Sequence, residues 1–425
     1  MAFEQPEMNN HRLRRDLGLL EAIAVGWGAI IGAGIFVVIG LAAGVAGSGF
    51  LLGLVLAAIV AAFNALSSAQ LAAKYPTSGG TYEYGYELVH PVAGFAAGWM
   101  FLASKLAAGG TVAIGLGAYV SRYFPLVPPV GASLAAVFLL ALANLLGIRK
   151  AGRLNLAIVA VTLLALVVFA FRAAPAVDFV HLRLPEDLKV GELLRSAALL
   201  FFAYTGYARL ATLAEEVRDP GRTIPRAIIF SLGSATLLYL VVASVATGVV
   251  GAPALAQSDA PLATAAKEAN ASFAESAVLV GAATAMLGVL LSQILGISRM
   301  MLAMARRGDL PSWLGHVDKG RGTPDVAIVV TTTVIAALAV IGTLAWVVAA
   351  ASFTILLYYA ITNIAALRLD AEGRLYPRWI AWLGLLSCLG LAASLDRRTI
   401  AAGCMLLAVG LTLRFLWHRL GSRSS

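Results

Sequence analysis

Apolar and polar positions alternate along this chain in long blocks. Twelve apolar blocks are each long enough, as helix, to cross a bilayer, at about 18 to 46, 50 to 73, 92 to 121, 129 to 147, 153 to 173, 191 to 213, 225 to 250, 273 to 303, 325 to 343, 345 to 367, 377 to 395 and 399 to 417. The pattern predicts an all-α integral membrane protein of about twelve transmembrane helices. A polar lead, Met1 to Asp16, precedes a first block that is too long for the core of a cleavable signal, so that block is expected to stay.

Two blocks are interrupted. The first contains VGWGAIIGAGIF, Val25 to Phe36, with Gly26, Gly28, Gly32 and Gly34 in the middle of the span. The sixth contains LLFFAYTGYARL, which puts Tyr204, Thr205 and Gly206 at mid-depth. A broken helix in hydrocarbon leaves amides and carbonyls unpaired, each costing roughly several kcal/mol, so a break persists only where protein or a watery cavity meets it. Paired breaks, one in each half, predict a ligand site between two repeats at membrane mid-depth, although the halves share no visible sequence identity.

Composition agrees with the pattern, since 60% of the 425 residues are hydrophobic and only 12% are charged. The net charge of +9 invites a nucleic-acid reading, but its distribution argues for topology instead. With the N-terminus inside, 21 of the 31 Lys and Arg fall in inner loops and tails and 8 in outer loops. These charges are expected to face anionic lipid, and no nucleic-acid partner is expected. Cys388 and Cys404 lie in the last two spans and read as packing residues. All five histidines fall in loops or tails, and neither a HExxH motif, a P-loop nor a buried carboxylate pair is present. No enzyme activity, cofactor or metal is expected.

Lys105, near the centre of the third span, is the least expected residue. Insertion there costs on the order of 2.5 to 3.5 kcal/mol. Ala108 and Gly109, three and four residues on, are small, so this face is expected to point inward against other helices. The 22 Asp and Glu fall in loops or near span ends, and Lys105 is expected to be neutral part of the time or neutralised by hydroxyls, carbonyls or a bound anion. Glu21, in the first turn of the first span, reads as a dipole partner or a gate. Glu215 and Glu216 meet Arg218, Arg222 and Arg226 in the stretch Ala214 to Ala227, read as an inner loop laced with ion pairs and, with Arg209, as a candidate gate. The last two spans read as accessory or oligomeric, with the oligomeric state open.

Together IIGAGIF, PTSGGTYEY, the Gly98–Trp99 pair, FFAYTGY, EEVRDPGRTIPRAI and SRMMLAMARRGDLP resemble the amino acid, polyamine and organocation transporter superfamily. Within it, the chain resembles bacterial amino acid permeases of the cationic-amino-acid-transporter type. The resemblance implies a leucine-transporter-like fold. Residues 18 to 173 and 191 to 367 would be inverted repeats of five spans joined by an outer loop at 174 to 190. Residues 1 to 17 would be the cytoplasmic lead, 368 to 417 two accessory spans and 418 to 425 a cytoplasmic tail. It also implies that the substrate carboxylate meets amides around Gly32, Ala33 and Gly34 at a helix start. The α-ammonium would meet carbonyls near Ile31 and near Phe202, Ala203 and Thr205, with Tyr204 and Gly206 in the same stretch.

The chain departs from the family in two places. Permeases of this type that couple to protons place a lysine in the fifth span, where this chain has Thr162. Coupling then falls either to Lys105 or, in a sodium carrier, to Thr162 and Ser292. Ala208 and Arg209 stand where relatives carry an acid, which disfavours a cationic substrate. The expected activity is secondary transport of a neutral L-amino acid with a coupled proton across the cell membrane. A sodium-coupled carrier or an exchanger, and from another class a channel or a non-transporting sensor, are the alternatives.

Overall fold

The computed structural model describes residues 18–75, 79–146, 151–207, 210, 217–318 and 320–421. Arg209, Glu215 and Glu216, three of the four gate candidates, lie outside them. Among the described residues the regular secondary structure is helical, and every apolar block becomes a helix or a broken pair of helices.

The first block is α1 (Leu19–Ile30), a π-helical turn (Gly34–Val38) and α2 (Ile39–Ala46). Then come α3 (Phe50–Lys74), a short α4 (Thr81–Leu88) and α5 (Pro91–Tyr123). They are followed by α6 (Pro129–Leu145), α7 (Ala151–Ala173) and α8 (Val190–Phe201), which runs into a 3-10 turn at Phe202–Tyr207. The second half continues through α9 (Pro220–Ala256), a short α10 (Pro261–Glu268), α11 (Ser272–Arg306), α12 (Asp325–Ile341) and α13 (Leu344–Leu367). It closes with α14 (Arg378–Ser394) and α15 (Arg397–Gly421).

Two expectations change. The stretch from Pro220 to Ala227, read as part of a loop, forms the first two turns of α9, because Pro220 sits at the first helical position where its missing amide costs nothing. At its other end α9 passes Val250 and kinks at Gly251, whose φ of 75° suits glycine alone.

The packing places α1 and α2 at the centre. α1 lies against α9, α7 and the 3-10 turn after α8, while α2 lies against α9 and α8. Trp27 Nε1 donates to Ser234 Oγ at 2.8 Å and so fixes α1 on α9. α5 runs antiparallel to α11, since Gly98 faces Met304 and Gly115 faces Met286. Cys388 is buried and its Sγ donates to Asn64 Oδ1, which makes it a packing residue between α14 and α3.

The last helix is tied to the rest more firmly than its plain sequence suggests. Arg414 Nε donates to Asp309 Oδ1 at 3.1 Å, and the Asp309 side chain is only 2% exposed. The same carboxylate accepts from the Tyr82 and Tyr86 hydroxyls of α4. Arg307, beside it in sequence, pairs with Glu83 at 2.7 Å and stacks 4.1 Å above the Tyr86 ring. Burial, then the hydrogen bond to Asp309, pushes the Tyr86 phenol up to about 12. Trp99 Nε1 donates to Leu406 O at 2.9 Å and ties α15 to α5 as well.

Candidate functional site

The break in the first span begins at Ile31, whose φ of −81° and ψ of 105° are extended rather than helical. The chain bends through Gly32 and re-enters helix from Ala33, with no side chain capping the new start. A helix start leaves its first amides without partners inside the helix, and their dipoles add a partial positive charge. Gly32, Ala33 and Gly34 therefore present an anion-seeking end at the centre of the bundle.

The break in the sixth span faces it directly. A Cβ placed on Gly34 would lie 2.4 Å from Ala203 Cβ, and one on Gly206 would lie 2.0 Å from Ala29 O. Neither glycine has positive φ among the described residues. Their role is space: the two backbones approach closer than any side chain permits.

Three buried tyrosines hold the loosened carbonyls. Tyr239 of α9 donates to Ile30 O at 2.8 Å and lies 3.4 Å from Ala203 O, so one hydroxyl spans both breaks. Tyr359 of α13 donates to Thr205 O at 3.4 Å, and Tyr119 of α5 to Phe36 O at 2.7 Å. Phe202 O accepts from Thr205 Oγ1 at 3.0 Å.

Between the breaks lies a small cleft, about 40 Å³ in cavity volume and partly open to solvent. Gly32, Ala33, Gly34, Phe202, Ala203, Thr205 and Gly206 line it. Lys105 lines it too, with its Nζ 5.6 Å from the centre of the Phe101 ring. Ala29, Ile30, Ala108 and Val112 add small or apolar wall, and Val289 and Gln293 come from α11. Among the described lining residues Lys105 supplies positive charge and no carboxylate is present.

The remaining candidates lie elsewhere. Ile31 lines a neighbouring cleft with Trp27, Gly28, Ile158, Val159, Thr162, Ala285, Gly288 and Val289. Thr162 Oγ1 donates to Ile158 O at 2.8 Å, so its hydroxyl is already engaged along its own helix. Ser292 lines neither cleft. Tyr204 turns away from both: it is fully buried, and its hydroxyl donates to Leu54 O at 3.3 Å. Glu21 is exposed in the first turn of α1.

Sequence alone gives Gln293 and Tyr239 no role and reads Tyr359 as a packing or anchoring residue. Gln293 was legible as a polar residue inside an apolar span. The tyrosines were not, since an aromatic residue in such a span reads as packing.

An all-helical membrane protein whose first and sixth spans break face to face around a mid-bundle cleft has the architecture of a transporter. The chain belongs to the amino acid permease family, whose sequence model matches residues 22–415. It is 45% identical over 400 residues to an uncharacterized transporter of Mycobacterium tuberculosis, covering 94% of this chain and 90% of the relative. It is 30% identical over 439 residues to a branched-chain amino acid permease of Bacillus subtilis, covering 97% and 94%. A chloroplastic cationic amino acid transporter of Arabidopsis thaliana is 30% identical over 330 residues, 72% of this chain and 58% of the relative.

Proposed function

We propose that this amino acid transporter moves a neutral L-amino acid by alternating access, with proton coupling through Lys105, in a cell membrane with both termini cytoplasmic. One observation carries the reading: the two breaks and Lys105 line a single cleft. The helix start at Gly32, Ala33 and Gly34 suits a carboxylate, and the carbonyls of Ile30, Ala203 and Thr205, at the ends of interrupted α-helix, suit an ammonium. A lysine on the wall with no acid among the described lining residues disfavours a cationic side chain. Spans one to five and six to ten act as inverted repeats that rock about this site.

Coupling to protons follows from what Lys105 touches. An ammonium in a cleft that opens to each side in turn meets water in one state and protein in another, which changes how readily it holds its proton. A sodium-coupled carrier is the second reading, because Thr162 lines the neighbouring cleft. That cleft offers one side-chain hydroxyl and no carboxylate among the described residues, a poor shell for a hard cation.

Uptake of labelled L-amino acids into proteoliposomes under imposed pH and sodium gradients tests this reading. Uptake should follow the pH gradient, continue when choline replaces sodium, and lose its pH dependence in Lys105→Ala while some exchange remains. Lys105→Ala uptake that still follows the pH gradient removes Lys105 from coupling. Uptake that collapses in choline replaces the proton with sodium.

A further inference from the structure

Gln293 is the polar group in the cleft that the backbone-clasping scheme leaves unused. It lies on α11 beside Val289, and its Oε1 is buried with no hydrogen-bond partner among the described residues. An amide oxygen buried without a hydrogen bond is costly to the fold, so a ligand donor that reaches it gains affinity. The antiparallel register of α5 and α11, fixed by Gly98 against Met304 and Gly115 against Met286, sets Gln293 within about one helical turn of the level of Lys105. The cleft thus carries an orphaned acceptor on one wall and a cationic donor on the other.

We propose that Gln293 and Lys105 form a side-chain subsite that selects neutral L-amino acids whose short side chain both donates and accepts hydrogen bonds, the hydroxyl and carboxamide class. This deepens the carrier reading and rests on it. The substrate's donor satisfies the Gln293 amide and its acceptor faces the Lys105 ammonium. An aliphatic side chain of the same shape leaves the Gln293 amide oxygen stranded, and a site built around hydrogen bonds rejects the analogue that lacks them. The wall also limits size, since Ala29, Ala33, Ala108, Ala203 and Gly206 pack close around a small volume. Turning the Gln293 amide over does not alter the argument, because either orientation presents both donors and an acceptor.

Isosteric pairs test this on the purified full-length protein. Dissociation constants from thermal-shift titrations are compared for L-threonine against L-valine and for L-asparagine against L-leucine. The polar member of at least one pair should bind about tenfold tighter or more, equivalent to about 1.4 kcal/mol. In Gln293→Met, which keeps the volume, that preference should fall to within about threefold while the binding of the apolar member stays unchanged or tightens.

Valine and leucine binding as tightly as their polar partners in the unaltered protein overturns the proposal, with no variant needed. So does a preference that survives in a folded Gln293→Met. Binding confined to other L-amino acids overturns the subsite and leaves the carrier standing. Failure of every L-amino acid to bind overturns the carrier reading itself.

Discussion

Gly34 and Ala203, 169 positions apart in the chain, meet so closely that a methyl group on Gly34 would lie 2.4 Å from Ala203 Cβ. The contact joins the break of the first span to that of the sixth, and the small size of both residues makes it possible. In Gly34→Ala one backbone must move. Overpacking of this kind costs about 1–3 kcal/mol and displaces the helix start by a few tenths of an ångström or more. Gly34→Ala should reach the membrane yet lose at least about tenfold in substrate affinity, measured by thermal-shift titration beside Gly233→Ala. Gly233 has open space where its methyl would go, so that control should bind normally.

Tyr239 links the two breaks through one hydroxyl. Removing it in Tyr239→Phe strips Ile30 O of its donor and releases Ala203 O, both in buried surroundings. Leaving a buried acceptor unpaired costs about 1–3 kcal/mol, so the ligand-free melting temperature should fall by about 1–3 °C. Tyr123→Phe, at an exposed position, should melt as the unaltered protein does.

The buried pair of Arg414 and Asp309 makes the last helix a structural partner of α4 and of the segment that follows α11. Removing Arg414 takes a guanidinium from a nearly fully buried carboxylate, and breaking such a pair is expected to cost about 3–5 kcal/mol. Arg414→Met should lower the melting temperature more than the double variant Arg414→Met with Asp309→Asn, in which the carboxylate charge is removed as well. A double-mutant cycle by thermal denaturation reads the difference, and additivity would show that the two side chains do not act together.

Tyr86 gives this same cluster an alkaline limit. Its folded phenol is raised from 10.0 to about 12 by burial and by Asp309, so folding favours the protonated form. That contribution is fully present below pH 10 and is lost as pH rises through about 12. Melting curves between pH 9 and 12 should steepen their decline above pH 10, and Tyr86→Phe should decline less over that interval.

Much of the architecture was legible because hydrocarbon punishes unpaired backbone. A run such as IIGAGIF inside an apolar block reports a break through its glycines, and Lys105 reports an inward face through its charge. What was hidden depends on contacts distant in sequence. Tyr239 and Tyr359 look like packing residues until the carbonyls of Ile30 and Thr205 are seen beneath their hydroxyls. Arg414 sits 105 positions from Asp309, at the end of a helix with few polar marks. Ser292 and Gln293 are neighbours, but adjacent helical residues point about 100° apart, and only Gln293 reaches the cleft.

The central claim is that bare peptide groups at the two breaks hold both charged ends of an amino acid. Thermal-shift titration of the purified protein with each L-amino acid, its methyl ester and its N-acetyl derivative addresses it directly. At least one free L-amino acid should raise the melting temperature in proportion to its occupancy, while its ester and acetyl derivatives, each lacking one charge, leave it unmoved. A derivative that stabilises the protein as well as the free amino acid, or no response to any of them, would contradict the account.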